Sequence, residues 1–226
     1  MLTVIENLFT AEEAAQLRAQ LVEQPWLDGI ATAGGQAASV KANLQMDDRN
    51  PVAQQLRQQV LERLGRNPLF VSAALPQKIY PPKFNCYRDG GHYGLHVDSA
   101  IMQLPNGESL RTDLSITLFL SEPETYDGGE LMIETRYGAQ AVKLNAGSAV
   151  LYPSSSLHQV TPTTGGERIC SFFWIQSLVA DDHQREQLFE LDQCIQALTM
   201  DRGHQDPQVK SLTGIYHNLL RGWATT

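Results

Sequence analysis

The sequence predicts a mainly β fold with flanking helices, in which a two-sheet jelly roll or a barrel is preceded and followed by helical segments. Three observations predict it. Between residues 69 and 177 the apolar pattern breaks into short runs bounded by turn-forming groups such as Asp89-Gly90-Gly91, Asp127-Gly128-Gly129 and Gly165-Gly166. No helical stretch interrupts those runs, which favours antiparallel sheets over a βαβ plan. On either side the apolar residues recur at helical spacing. At 226 residues, with 42% apolar and 19% charged residues, the chain is long enough for one full core with a helical appendage.

Each element has its own signal. Thr10-Ala11-Glu12-Glu13 is a capping box, and Ala14, Leu17, Leu21 and Val22 follow at helical spacing until Pro25 stops the run. Residues 28–45 are small and polar with Gly34-Gly35 at their centre, and read as a loop with a strand near Val40. Asn50-Pro51 caps a second helix carrying Val52, Leu56, Val60 and Leu64, which ends at Gly65. The strand candidates are Leu69–Leu75, Lys78–Tyr87, Tyr93–Asp98, Leu114–Leu120, Glu130–Thr135, Ala141–Leu144, Ala149–Tyr152 and Arg168–Ser177. From Asp182 the helical period returns through Leu188, Leu191, Ile195 and Leu198, and Asp206-Pro207 opens a last helix. We therefore expect a support region over 1–77, a β domain over 78–178 and a C-terminal helical extension over 179–226.

Composition narrows the function. With 17 Lys+Arg against 25 Asp+Glu the net charge is −8 and no basic run is present, so nucleic acid is not an expected partner. The first residues, Met1-Leu2-Thr3-Val4-Ile5-Glu6, lack a basic and apolar leader pattern, and no apolar stretch reaches membrane-spanning length. Cys86, Cys170 and Cys194 form neither a disulfide framework nor a CxxC pair, which points to a reduced, cytoplasmic setting.

Chemistry gathers around one constellation. His96-Val97-Asp98 puts an imidazole and a carboxylate at i and i+2 of an expected strand, on one face. His158, just past the strand Ala149–Tyr152, is the best third ligand. Two histidines and one carboxylate form the facial triad of non-haem Fe(II) sites, which leaves coordination positions open. The HxD pair alone is a weak signal. His92 shares the parity of His96 but has Gly94 where a carboxylate would be needed.

Arg168 strengthens the case. It shares a strand face with Cys170, Phe172 and Trp174, while Ile169, Phe173 and Ile175 share the other, so the strand should be central and covered on both sides. A buried guanidinium needs a carboxylate, and its planar fork suits a bidentate one. That carboxylate is either internal, from Glu130 or Glu134, or belongs to a dicarboxylate co-substrate that also reaches the metal.

The run Asn85 to Asp98, then Asp127-Gly128-Gly129-Glu130-Leu131, His158 and Arg168, resembles the prolyl/lysyl-hydroxylase-type Fe(II)/2-oxoglutarate dioxygenases. Over nearly its whole length the chain is similar to the bacterial PKHD-type hydroxylases, a group associated with iron uptake. The resemblance implies a double-stranded β-helix core. It implies Fe(II) on His96, Asp98 and His158, 2-oxoglutarate held by Arg168 with Tyr87 close by, O2 as co-substrate, and ascorbate as reductant. Some relatives supply a second tyrosine after the metal motif, where this chain has Leu118 and Phe119. The implied reaction couples decarboxylation of 2-oxoglutarate to succinate with hydroxylation of a C–H bond, on a peptidyl proline or lysine or on a small molecule linked to iron uptake. At this level two other readings stay open: a cupin-like metalloenzyme without 2-oxoglutarate, which leaves Arg168 unexplained, and a non-catalytic jelly-roll binding module that holds no metal. Residues 99–108, with Met102 and Leu104, are a candidate lid, and 28–45 a second mobile edge. The C-terminal helices cover the sheet, form a homodimer interface or do both, and their apolar stripe does not choose among these.

Overall fold

The computed structural model describes residues 1–29 and 40–225. Sixteen strands and five α-helices follow in chain order: β1 (Thr3–Ile5), α1 (Ala11–Val22), β2 (Trp26–Asp28), β3 (Lys41–Ala42), β4 (Leu44–Met46), α2 (Pro51–Gly65), α3 (Pro68–Ala74), β5 (Pro76–Ile79), β6 (Lys83–Tyr87), β7 (Gly91–His96), β8 (Ile101–Gln103), β9 (Ser109–Arg111), β10 (Leu114–Phe119), β11 (Tyr126–Gly128), β12 (Leu131–Thr135), β13 (Gly138–Val142), β14 (Ala149–Pro153), β15 (His158–Gly166), β16 (Arg168–Ser177), α4 (Asp182–Arg202) and α5 (Pro207–Trp223), counted among the described residues.

Two antiparallel sheets face each other as a jelly roll. The larger runs β1-β14-β10-β16-β6-β4-β2, with β5 also on β16, and the smaller runs β13-β12-β15-β7-β3, with β11 also on β15. The alternation read from β16 decides what each face meets. Ile169, Phe173 and Ile175 join the core beneath α1, α2 and α3, together with Leu17, Leu56 and Phe70. Cys170 joins the core between the sheets, with Tyr87, Phe119 and Tyr152. As expected, this strand is central, paired with β10 on one side and β6 on the other.

The helix starts obey their caps. Thr10 and Glu13 form both bonds of the capping box, and Asn50 accepts from Val52 and Ala53. Several expected elements are corrected. Leu69–Leu75 is not a strand: Asn67 caps the backbone of Phe70, Pro68 takes the first turn, and residues 68–74 form α3. The single strand expected over Lys78–Tyr87 is two, β5 and β6, broken at Pro81-Pro82, which can donate nothing to a ladder. The polar stretch around residue 45 contains β3 and β4, while residues 30–39, including Gly34-Gly35 and most of the proposed second edge, lie outside the described residues. The segment proposed as a lid, residues 99–108, carries β8 and the turn that leads into β9. The strand β15 was missed altogether, because Pro162 and Gly165-Gly166 disguise it and its pairing with β7 shifts register twice. At the chain's end α5 packs through Tyr216, Leu219, Leu220 and Trp223 on Leu188 of α4 and on Leu75 and Val179. No helix of the described residues is long and apolar enough to cross a membrane.

Candidate active site

β7 and β15 set His96 and His158 opposite each other as a cross-strand pair. β7 ends at His96, so Asp98 lies beyond the strand and not within it as alternation suggested. Its carboxylate nevertheless turns back: Oδ1 is 3.9 Å from His96 Nε2 and Oδ2 is 3.8 Å from His158 Nε2. Among the described residues these three alone form a metal-capable cluster, with one ligand atom from each lying within 4.8 Å of the others. His92, which bonds through Nδ1 to the Gly90 carbonyl, takes no part.

Local hydrogen bonds prepare both imidazoles. His96 Nδ1 meets the Gly94 carbonyl at 2.7 Å and His158 Nδ1 meets the Ser156 carbonyl at 2.9 Å. A carbonyl can only accept, so each ring carries its proton on Nδ1 and turns the Nε2 lone pair toward the shared point. Burial, and then the neighbouring His158, push the pKa of His96 down, which keeps it neutral. Tyr93 stacks on His96 with centroids 3.7 Å apart, and Tyr152 meets the His158 ring edge-on at 5.2 Å. The Ser115 hydroxyl donates to Asp98 Oδ2 at 2.6 Å and shares a 2.7 Å contact with Ser154. Two neutral nitrogen donors and one carboxylate, with the ligands steered by outer partners, fit a divalent iron.

The same cavity, of about 330 Å³, reaches from this triad to Arg168 and is lined along the way by Tyr87, Tyr152 and Cys170. Arg168 is only 1% exposed. Its Nη1 donates to Cys170 Sγ at 3.1 Å, while its guanidinium carbon lies 5.0 Å from the Tyr87 ring centre and 5.2 Å from that of Phe119. Nε and Nη2, which form one edge of the fork, have no hydrogen-bond partner among the described residues. Neither Glu130 nor Glu134 supplies the internal salt bridge. Glu130 instead accepts from Thr161 at 2.5 Å. A buried cation with a vacant donor edge costs several kcal/mol unless an anion meets it, and the chemistry of this end of the cavity suits a carboxylate.

Tyr87 stands directly across β6 and β16 from Arg168. Its hydroxyl accepts from Asn85 Nδ2 at 3.3 Å, and burial pushes its pKa up, so it stays a neutral phenol. Ser115, Ser154, Tyr93 and Tyr152 were not read from the sequence. Ser115 carried a signal that could have found it: on the strand Leu114–Phe119 it shares the inward face with Thr117, and a hydroxyl in so apolar a run needs a buried partner. Met102 lines the cavity, which gives the β8–β9 hairpin a place at its mouth.

A facing-sheet β fold with a two-histidine, one-carboxylate cluster and a buried arginine in one cavity defines a non-haem oxygenase of the 2-oxoglutarate type. Residues 82–176 match the 2OG-Fe(II) oxygenase superfamily. Among solved structures, a Pseudomonas putida prolyl-4-hydroxylase shares the fold, with TM-score 0.52 and 20% identity over 78% of this chain and 92% of that one. So does HygX from Streptomyces hygroscopicus, solved with nickel and 2-oxoglutarate, with TM-score 0.54 and 15% identity over 78% of this chain and 82% of that one. Residues 182–225, which span α4 and α5, match the PKHD-type hydroxylase C-terminal domain. A PKHD-type hydroxylase of Pseudoalteromonas atlantica is 60% identical over all of both chains. The chain belongs to the PKHD-type hydroxylases, and it is a dioxygenase of the Fe(II)- and 2-oxoglutarate-dependent class.

Proposed function

We propose that His96, Asp98 and His158 hold Fe(II), that Arg168 grips the distal carboxylate of 2-oxoglutarate, and that Tyr87 walls the co-substrate. Iron in that position supplies O2 activation coupled to oxidative decarboxylation of 2-oxoglutarate, yielding succinate, CO2 and a hydroxylated C–H bond. The protein's own part is positioning. The backbone carbonyls of Gly94 and Ser156 fix the two imidazoles, and Ser115 fixes Asp98. Arg168 sets the direction of the dicarboxylate, and the apolar walls of Tyr87, Phe119 and Val160 exclude water from it. The unpartnered edge of Arg168, in the cavity that holds the triad, is the observation that carries this reading.

The hydroxylated substrate is a peptidyl proline or lysine or a small molecule. Beside the metal end, Trp174 meets Tyr80 edge-on at 5.3 Å and Phe172 at 5.6 Å, and these cavity-lining rings suit an apolar or ring-bearing group. Ascorbate as reductant and a cytoplasmic setting belong to the same reading. Anaerobic titration of the apo-protein with Fe(II) and then 2-oxoglutarate tests it through a visible metal-to-ligand charge-transfer band. We expect the band, and its loss at the same co-substrate concentration in Arg168→Gln. Iron binding without a band would remove 2-oxoglutarate from the reading, and no iron binding would remove the triad.

A further inference from the structure

Arg168, which lines the cavity, is not the only buried group in its neighbourhood with hydrogen bonds to spare. The hydroxyls of Tyr126, which faces Arg168, and of Thr163 also make no hydrogen bond of good geometry among the described residues. Both residues are buried, at 3% and 0% exposure. Gly129 shows that they crowd the same small volume as Arg168. A Cβ placed on that glycine would lie 2.8 Å from Thr163 Oγ1, 3.0 Å from Arg168 Cδ and 3.1 Å from Tyr126 Cε2. Its φ of +67° further reserves the position for glycine. The turn Asp127-Gly128-Gly129 therefore removes a side chain where Tyr126, Thr163 and Arg168 converge.

The donors match one ligand by number. Arg168 offers Nε–H and Nη2–H from one edge, and Tyr126 and Thr163 offer one O–H each, which makes four donors. An ionised carboxylate presents two oxygens with about four lone-pair sites. Four unmatched polar groups buried in one place are costly together, so a shared acceptor is the economical reason for them. The neighbouring phenol of Tyr87 differs, since it already has Asn85. Lys143 holds Tyr126 in place from outside, with Nζ donating to the Tyr126 carbonyl at 2.8 Å and lying 4.1 Å from the ring centre.

We propose that Tyr126 and Thr163 belong to the co-substrate site, where their hydroxyls complete with Arg168 the cradle for the distal carboxylate of 2-oxoglutarate. The inference rests on the Fe(II)/2-oxoglutarate reading and adds two residues that the sequence did not single out. Phe119 packs on the Arg168 guanidinium but has no hydroxyl to give, and the phenol arrives instead from β11.

Calorimetric titration of the Mn(II)-loaded full chain with two keto acids tests it. 2-Oxoglutarate carries the distal carboxylate; 2-oxopentanoate has the same carbon skeleton without it. Tyr126→Phe should raise the Kd for 2-oxoglutarate about tenfold, the loss of one hydrogen bond to a charged acceptor, and Thr163→Val should raise it by less. Neither variant should change the Kd for 2-oxopentanoate. Unchanged affinity for 2-oxoglutarate in both variants, or equal weakening toward both acids, overturns the proposal. Should Tyr126→Phe fail to fold, judged by its melting curve, the near-isosteric Thr163→Val carries the test alone. Arg168→Gln in the same titration separates the two levels. If it loses 2-oxoglutarate while the hydroxyl variants keep it, only Tyr126 and Thr163 are wrong; if it too binds as the parent does, the carboxylate reading of this cavity falls with them.

Discussion

At the triad end of the cavity the supporting hydrogen bonds are already made, whereas at the Arg168 end they are waiting. Nδ1 of both histidines and one oxygen of Asp98 have protein partners within 2.9 Å. Around Arg168 two guanidinium nitrogens and two hydroxyls have none among the described residues. The difference follows from what each end must receive. A metal ion needs lone pairs aimed at one point, and the protein aims them by occupying the other side of each ring. A dicarboxylate needs donors, which must stay unsatisfied until it comes, and the fold carries their desolvation cost in the meantime.

The hardest way to break the contrast is at the triad. His158→Ala removes one of the three proposed ligands and should reduce 2-oxoglutarate turnover to background, beyond the roughly 10–100-fold that the loss of an outer partner costs. Succinate release checks it, and retained turnover would take His158 out of the metal site. The next largest effect belongs to the other end. Arg168→Gln should raise the KM for 2-oxoglutarate by about 100-fold, as expected for a desolvated charge-assisted pair. Metal affinity, measured by competition with a chelator, should stay within about twofold, because Arg168 touches no ligand atom. A matching loss of metal would show that the two ends are not independent.

A gentler probe sharpens the triad end. Ser115→Ala leaves all three ligands in place but frees Asp98 Oδ2 from its 2.6 Å hydrogen bond. Metal affinity should fall about tenfold, at the low end for an outer partner, since Ser154 stays nearby. The KM for 2-oxoglutarate, read at saturating metal, should move little. If both fall together, Ser115 supports the strand and not the carboxylate.

The two ends also differed in how legible they were. His96 and Asp98 are legible as a pair two positions apart, a weak signal by itself, to which His158 adds a third candidate ligand. Arg168 stands out because it breaks the apolar face of a strand otherwise filled by Cys170, Phe172 and Trp174. The helix caps at Thr10 and Asn50 were equally plain, since a cap is a local bond between residues two or three apart. What could not be read depends on pairing across the chain. β15 exists because β7 and β12 hold it on either side, against the local preference of Pro162 and its glycines. Asn67-Pro68 is a helix start before Leu69, but a short apolar run with Phe70 and Val71 in it reads equally as a buried strand. Tyr126 and Thr163 look like ordinary residues around a turn until β11 and β15 pair and bring them to Arg168.

The smallest expected effect is also the most discriminating, because it contrasts a phenol with a partner against one without. Tyr87 and Tyr126 are both buried beside Arg168, and burial pushes both phenols up, so each is neutral and able to donate. Tyr87 already accepts a hydrogen bond from Asn85, and its main contact with Arg168 is the face of its ring, which phenylalanine preserves. Tyr87→Phe should therefore raise the Kd for 2-oxoglutarate only about threefold, less than one charged hydrogen bond, even though Tyr87 lines the cavity. Its cost should appear partly as stability, since Asn85 loses an acceptor in the core and that amide's oxygen is already without a partner. A melting curve for Tyr87→Phe beside its calorimetric titration separates the two. A tenfold loss of 2-oxoglutarate with an unchanged melting temperature would make Tyr87 a carboxylate donor in its own right, and the division between matched and waiting groups would have to be redrawn around it.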